Sequence, residues 1–136
     1  MSSNRRTTVV LADDHPRVLE SVSQLLQKHY NIVAAVNDGR KAVDAAIQFS
    51  PEVIVLDISM PVLDGFGAAL EIRQLSPKTR IIFLSVQADQ DYINKAVTHG
   101  AAGYVLKSRM HADLIRAIES ALNGKPFFSA CAAETD

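Results

Sequence analysis

The segment Val53–Asp57, with the sequence VIVLD, is a run of four apolar residues that ends in a carboxylate. Such a run is typical of a strand buried on both faces, because a strand with one face in water alternates apolar and polar residues. Strands covered on both faces occur in parallel sheets that lie between two layers of helices. The segment therefore indicates an α/β protein, and it places an acidic side chain at the end of a buried strand.

Four similar apolar runs surround this segment, at residues 8–12, 32–36, 81–85 and 103–106. Helix-length stretches with apolar residues at helical spacing alternate with the runs, around residues 18–26, 42–47, 69–75, 93–97 and 114–122. The order βαβαβαβαβα predicts a doubly wound (βα)5 sandwich. We expect a five-stranded parallel sheet with helices on both faces, the arrangement of flavodoxin-like proteins.

Helix-capping residues support this division of the chain. Asp38 and Asp89 precede two of the helical stretches and are predicted to be N-caps, whose side chains accept hydrogen bonds from the first turn. Gly100 and Gly124 follow two others, where a left-handed residue ends a helix.

Length and composition limit the classes of protein to consider. The chain has 136 residues, 14 basic and 15 acidic, with a net charge of −1, so it lacks the basic excess of a nucleic-acid-binding domain. The single cysteine, Cys131, excludes an internal disulfide. No apolar run reaches the roughly 18 residues that a membrane span needs, and the polar start 1–8 does not resemble a signal peptide. We expect a cytoplasmic protein without membrane contact.

The predicted elements fill one domain. Residues 8–128 carry the alternation of strands and helices. Residues 1–7 are expected to be a disordered leader, and residues 129–136, which have no periodicity, a tail.

Acidic residues follow two of the predicted strands. Asp13 and Asp14 come after the first strand, and Asp57 ends the third. Ligands of such sheets bind beyond the carboxyl ends of the strands, so these carboxylates would share one pocket if the first and third strands are neighbours. Close carboxylates repel and raise each other's pKa, which a hard divalent cation relieves. Oxygen ligands favour Mg²⁺, with Mn²⁺ as the alternative.

The other strand ends carry complementary groups. Ser85 ends the fourth strand and offers a hydroxyl, and Lys107 follows the fifth and offers a positive charge. Together with the carboxylates they suit a phosphoryl group that is transferred onto an aspartate. In the loop after Asp57, Ser59 is positioned to offer its backbone carbonyl to a metal, and Asp64 is placed to cap the next helix.

Each of these residues has a simpler explanation when taken alone. An aspartate after a strand commonly caps a helix or forms a turn. His15 is interpreted as an exposed residue at the start of the first helix rather than a ligand or a base. His29, His99 and His111 are placed on helices away from the strand ends. The combination favours a functional site, because four of the five strand ends carry complementary chemistry.

In the order and spacing of these residues, the chain resembles the receiver domain of bacterial two-component response regulators. The resemblance covers about residues 8–128 and rests on Asp13-Asp14, the loop Asp57–Gly65 (DISMPVLDG), Ser85 and Lys107. It implies that Asp57 is the phosphoacceptor for a histidine kinase or a histidine phosphotransfer protein.

The resemblance also implies the roles of the neighbouring residues. Asp13 and Asp14 would hold Mg²⁺ together with Asp57 and the Ser59 carbonyl. Lys107 would pair with the phosphoryl oxygens. Ser85 would be the hydroxyl that moves to the phosphoryl group, and Tyr104 the aromatic residue that changes rotamer with it. These movements would alter the surface formed by the fourth helix, fifth strand and fifth helix.

The segment Asp13-Asp14-His15-Pro16 and the residues 114–118 and 124–129 are similar to the NarL/FixJ-type subfamily. Its members bind DNA through a C-terminal helix-turn-helix domain, which is absent from this chain, and they are able to form homodimers on phosphorylation. We expect the tail to be the start of a linker to such a domain. The alternative is a stand-alone receiver that acts as a phosphate shuttle or protein-binding module.

Two other classes of α/β protein are disfavoured. An aspartyl-phosphate phosphatase has an Asp-x-Asp motif, and here Ser59 stands at its second acidic position. A flavodoxin-like cofactor binder has a phosphate-binding loop rich in Ser, Thr or Gly after the first strand, where this chain has acidic residues. We therefore expect a signalling switch and not a dedicated enzyme. Val86, next to the switch serine, is expected to narrow access to Asp57.

Overall fold

A computed structural model describes residues 6–129 of the chain. Within this range six parallel strands form one sheet in the order β2-β1-β3-β4-β5-β6. The strands are β1 (Thr8–Ala12), β2 (Asn31–Val36), β3 (Val53–Asp57), β4 (Arg80–Ser85), β5 (Gly103–Leu106) and β6 (Phe127–Phe128). Residues 1–5 of the predicted leader and residues 130–136 of the predicted tail, with Cys131, lie outside the described residues.

Five helices cover the two faces of the sheet. They are α1 (Pro16–Leu26), α2 (Gly39–Phe49), α3 (Gly65–Leu75), α4 (Gln90–Thr98) and α5 (Met110–Leu122). Apolar residues of α2, α3 and α4 pack in one hydrophobic cluster, and those of α1 and α5 pack in another on the opposite face. The prediction of a doubly wound sandwich is therefore confirmed. In the described part of the chain, none of the helices is both long and apolar enough to span a bilayer.

The strand that indicated the fold lies between β1 and β4, and each of its five residues is buried. Four successive apolar residues are needed there because neighbouring side chains point alternately into the two helical layers. The topology therefore places Asp57 at the centre of the carboxyl edge of the sheet.

The predicted count of five strands is one too low. The sixth strand, β6, pairs with the outer edge of β5, with Phe127 beside Gly103 and Phe128 beside Tyr104. Two residues are too few for a periodic pattern to show. The pairing covers a strand edge that five strands alone would leave open.

The predicted caps are mostly confirmed. The Asp38 side chain accepts a hydrogen bond from the amide of Lys41. Gly100 and Gly124 adopt left-handed φ values of 80° and 75°. Asp89 occupies the N-cap position of α4 as predicted, and its side chain makes no capping hydrogen bond there.

Candidate functional site

Three carboxylates meet at the carboxyl edge of the sheet. Strands β1 and β3 are neighbours, and Ala12 pairs with Leu56, so the residues that follow them lie side by side. Asp13 and Asp57 are each only 3% exposed, and Asp14 is half-buried. The predicted convergence of the three acidic residues is confirmed.

Burial gives Asp57 an unusual affinity for protons. Removal from water disfavours the charged carboxylate, and the nearby charge of Asp13 acts in the same direction, while Lys107 opposes both. The combined effect raises the pKa of Asp57 to about 6. This carboxyl group therefore changes charge close to neutral pH.

Lys107 brings a positive charge to the carboxylates. Its Nζ lies 3.0 Å from Oδ2 of Asp13 and 3.3 Å from Oδ1 of Asp57. The residue directly follows β5, and its side chain is only 11% exposed. The structure thus places Lys107 in the acidic pocket, as the strand-end argument predicted.

The side chain of His15 also contacts this group. The residue is exposed and precedes α1 as expected. Its imidazole nevertheless turns into the pocket, with Nδ1 3.1 Å from Oδ1 of both Asp13 and Asp14 and 3.8 Å from Oδ2 of Asp57. Position directly after two acidic residues was the available signal in the sequence. The rotamer that brings the ring inward depends on carboxylates that the fold assembles.

The acidic group has the composition of a cation site. One possible ligand atom from each of Asp13, Asp14, His15 and Asp57 lies within 4.8 Å of the others. Within the described residues, three buried oxygens accept no hydrogen bond and have only the ion-pair contacts of Lys107 and His15 given above: Oδ2 of Asp13, Oδ1 of Asp14 and Oδ2 of Asp57. Unsatisfied buried anionic oxygens are the ligands that a hard cation binds. These residues could therefore hold a metal ion.

Ser59 lies in the loop beside this group. Its backbone amide is 3.4 Å from Oδ1 of Asp57, to which it donates a hydrogen bond, and the residue lines a groove of about 750 Å³ with Asp14. The use of its carbonyl as a metal ligand stays a prediction. Asp64 accepts a hydrogen bond from the amide of Gly67, which confirms it as the cap of α3.

Ser85 and Tyr104 are connected through the backbone amide and carbonyl of Gln87. The Gln87 amide donates to Oγ of Ser85 at 2.9 Å, and the Tyr104 hydroxyl donates to the Gln87 carbonyl at 2.6 Å. Both side chains are buried, Tyr104 completely, and this burial raises the pKa of the Tyr104 hydroxyl. No pattern in the sequence indicates this role of Gln87, because the backbone groups involved are present in every residue type. Val86 between them is 74% exposed, and its effect on access stays a prediction.

A sequence model of the response regulator receiver domain matches residues 9–119, most of the chain. The chain belongs to the response regulator receiver family. The matched range contains Asp13, Asp57, Ser85 and Lys107, the residues that the fold brings to one edge. The resemblance inferred from the strand ends is confirmed.

Curated relatives of this receiver domain include proteins that are named transcriptional regulatory proteins and response regulators. It is 32% identical over 131 residues to the transcriptional regulatory protein MctR of Rhizobium johnstonii and 30% identical over 131 residues to the nitrate/nitrite response regulator protein NarL of Escherichia coli. In both cases the match covers 95% of this chain and 61% of the relative. The chain thus spans about three-fifths of the length of these relatives. The names of these relatives confirm the NarL/FixJ-type assignment.

Solved structures that are similar to this chain are also response regulators or their receiver domains. The receiver domain superposes on the signal receiver domain of the response regulator NarL from Mycobacterium tuberculosis with a TM-score of 0.84, 29% identity, and coverage of 89% of this chain and 99% of the other. A LuxR family two-component response regulator from Aurantimonas superposes with a TM-score of 0.88, 32% identity, and coverage of 95% and 94%.

Proposed function

We propose that this receiver domain is a phosphoacceptor switch that takes a phosphoryl group on Asp57 in a Mg²⁺-dependent reaction. The observation that carries the proposal is the Asp57 carboxylate itself, buried beside Asp13, with the Lys107 ammonium 3.3 Å from its Oδ1. A structural role alone would not account for two adjacent buried carboxylates, because their repulsion costs stability. The donor would be a histidine kinase or a histidine phosphotransfer protein.

Phosphoryl transfer would proceed by attack of an Asp57 oxygen on the phosphorus of a phosphohistidine. The new P–O bond forms as the P–N bond breaks, and the imidazole of the donor leaves. Lys107 is placed to pair with the transferred phosphoryl oxygens. When bound, Mg²⁺ held by Asp13, Asp14, Asp57 and the Ser59 carbonyl would neutralise charge on the phosphoryl group.

The response would begin at Ser85. A phosphoryl group on Asp57 would draw the Ser85 hydroxyl away from the Gln87 amide, its present partner. Tyr104 already points inward and holds the Gln87 carbonyl, so it is placed to follow this loop. The affected surface is that of α4, β5 and α5.

The output we propose is control of transcription in the cytoplasm. It rests on the relatives, which include the transcriptional regulatory protein MctR. DNA contact would come from a C-terminal domain outside this chain, with homodimer formation as an intermediate step. In this reading the domain assists its own phosphorylation and dephosphorylation but is not a dedicated enzyme. A stand-alone phosphate shuttle is the second candidate.

Labelling with acetyl phosphate and Mg²⁺ tests the phosphoacceptor. Intact-mass measurement should show one added phosphoryl group on the wild type and none on Asp57→Asn, which is nearly isosteric but forms no acyl phosphate. Asp44→Asn, a change on the exposed face of α2, is the matched control and should be labelled normally. Full labelling of Asp57→Asn would refute the assignment.

A further inference from the structure

Strand β6 and the serine that follows it are attached to the strand that carries Tyr104. We call Phe127–Ser129 the β6 segment. Phe128 pairs with Tyr104 across the parallel ladder, and Ser129 is 1% exposed. Its Oγ accepts a hydrogen bond from the amide of Leu106 at 2.9 Å and donates to the carbonyl of Tyr104 at 3.4 Å. The Ser129 hydroxyl therefore hydrogen-bonds to backbone groups of β5 beyond the point where β6 ends.

The side chains of the β6 segment extend this attachment into the core. Paired residues of parallel strands point to the same face, so Phe128 lies on the Tyr104 side of the sheet. Phe128 is partly buried against the hydrophobic cluster that contains Tyr104. On the opposite face, the guanidinium of Arg116 lies 5.5 Å from the centre of the Phe127 ring. Both faces of the segment thus contribute to its docking.

The same segment pairs with the strand that carries Tyr104, and Phe128 packs against the hydrophobic cluster to which the Tyr104 ring belongs. Tyr104 is completely buried, and its hydroxyl is held by the Gln87 carbonyl. If the β6 segment left β5, the ring would lose its neighbour at the sheet edge, and a rotamer toward solvent would gain space. Docking of the segment and the inward rotamer of Tyr104 therefore stabilise one another.

We propose that the β6 segment is a latch coupled to the phosphorylation site, closed when Tyr104 is inward. This inference rests on the proposed function, in which phosphorylation of Asp57 acts on Tyr104 through Ser85 and Gln87. A phosphoryl group that favours the inward rotamer would tighten the latch. Because coupling between two sites is reciprocal, opening the latch must weaken binding at the site by the same factor. The latch would thus fix the direction in which the chain leaves the domain.

The experiment uses the full chain and beryllofluoride with Mg²⁺ as the phosphoryl analogue. In the wild type, the analogue should slow hydrogen exchange of the Leu106 amide, the donor to Ser129. Ser129→Ala should bind the analogue about two- to tenfold more weakly, the range expected for loss of one neutral hydrogen bond. Phe128→Ala, which keeps the hydroxyl, should also weaken binding. Ser120→Ala on α5 is the matched serine control and should bind as the wild type does.

The outcomes separate the two proposals. Equal analogue affinity in the wild type, Ser129→Ala and Phe128→Ala, with unchanged exchange at Leu106, would overturn the latch and leave the switch intact. A wild type that neither binds the analogue nor accepts phosphate would overturn both. Amide spectra of each variant show whether it is folded, and the exchange measurement on the wild type tests the coupling without any substitution.

Discussion

The ammonium group of Lys107 lies 3.3 Å from Oδ1 of Asp57, although the two residues follow strands that are separated by β4. The same ammonium is 3.0 Å from Oδ2 of Asp13. One cation thus faces two buried carboxylates, so the pocket has an excess of negative charge. The pKa of Asp57, raised to about 6 by burial and by Asp13, reflects this imbalance.

Removal of the Lys107 ammonium group should destabilise the folded domain when no metal ion is present. Lys107→Met keeps much of the stem but removes the charge, and we expect the free energy of unfolding at pH 7 to fall by about 1–3 kcal/mol, as for loss of a charge-assisted hydrogen bond. Urea denaturation measures this change. Lys125→Met, at an exposed position, is the control and should change stability little. Equal stability of the two variants would show that Lys107 is not paired in the folded protein.

Replacing Asp57 by a neutral residue should raise the free energy of unfolding. The folded-state pKa of about 6 lies above the ordinary value of 3.8, so the folded protein binds more protons than the unfolded chain between these pH values. The contribution of Asp57 to stability therefore decreases as pH rises through this window. Without metal, Asp57→Asn should be more stable than the wild type at pH 7, by about 1 kcal/mol after allowance for solvent screening. The difference in free energy of unfolding between Asp57→Asn and the wild type should vanish near pH 4.

Thermal or urea unfolding at several pH values, with a chelator present, checks this prediction. Asp44→Asn on the exposed face of α2 serves as the control for the loss of one negative charge. A stability difference between Asp57→Asn and the wild type that does not depend on pH would contradict a raised pKa.

Removing the imidazole of His15 should make the acidic group more available to a cation. Nδ1 lies 3.1 Å from Oδ1 of Asp13 and of Asp14, where a metal ion would bind. We expect His15→Ala to bind Mg²⁺ more tightly than the wild type, by about two- to tenfold, since contacts of hydrogen-bond strength no longer compete. Calorimetric or NMR titration measures the affinity. His29→Ala, at an exposed position, is the control, and weaker binding by His15→Ala would identify His15 as a ligand instead.

The loop after Asp57 contains a strained residue. Val62 has a φ of 72° and is 80% exposed. A β-branched residue in the left-handed region is strained, because its side chain crowds the backbone. Val62→Gly should relieve this strain and raise the free energy of unfolding by about 0.5–1 kcal/mol, net of the greater flexibility of glycine when unfolded. Val62→Ala keeps the Cβ atom and should gain less. Equal stability of the two variants would show that the strain is absent.

Much of the site follows from local patterns that act within a few residues. Apolar runs of β-branched residues define the strands, and polar residues at their ends must lie at one edge of a parallel sheet. These patterns predict that polar side chains meet at that edge, namely those of Asp13, Asp57, Ser85 and Lys107. Asp38 and Asp64 likewise cap their helices where the sequence places them. Each of these features depends on the period of one segment or on the chemistry of one turn.

Other features of the site depend on contacts between segments that are distant in the chain, and these contacts exist only in the folded protein. The inward position of His15 depends on the carboxylates that the fold assembles around it. Gln87 connects Ser85 with Tyr104 through backbone atoms, which every residue type possesses. Strand β6 forms because the edge of β5 has unpaired backbone groups, and Ser129 completes that edge with a hydroxyl. A two-residue strand has no period of its own, so its existence is determined by its neighbour and not by its sequence.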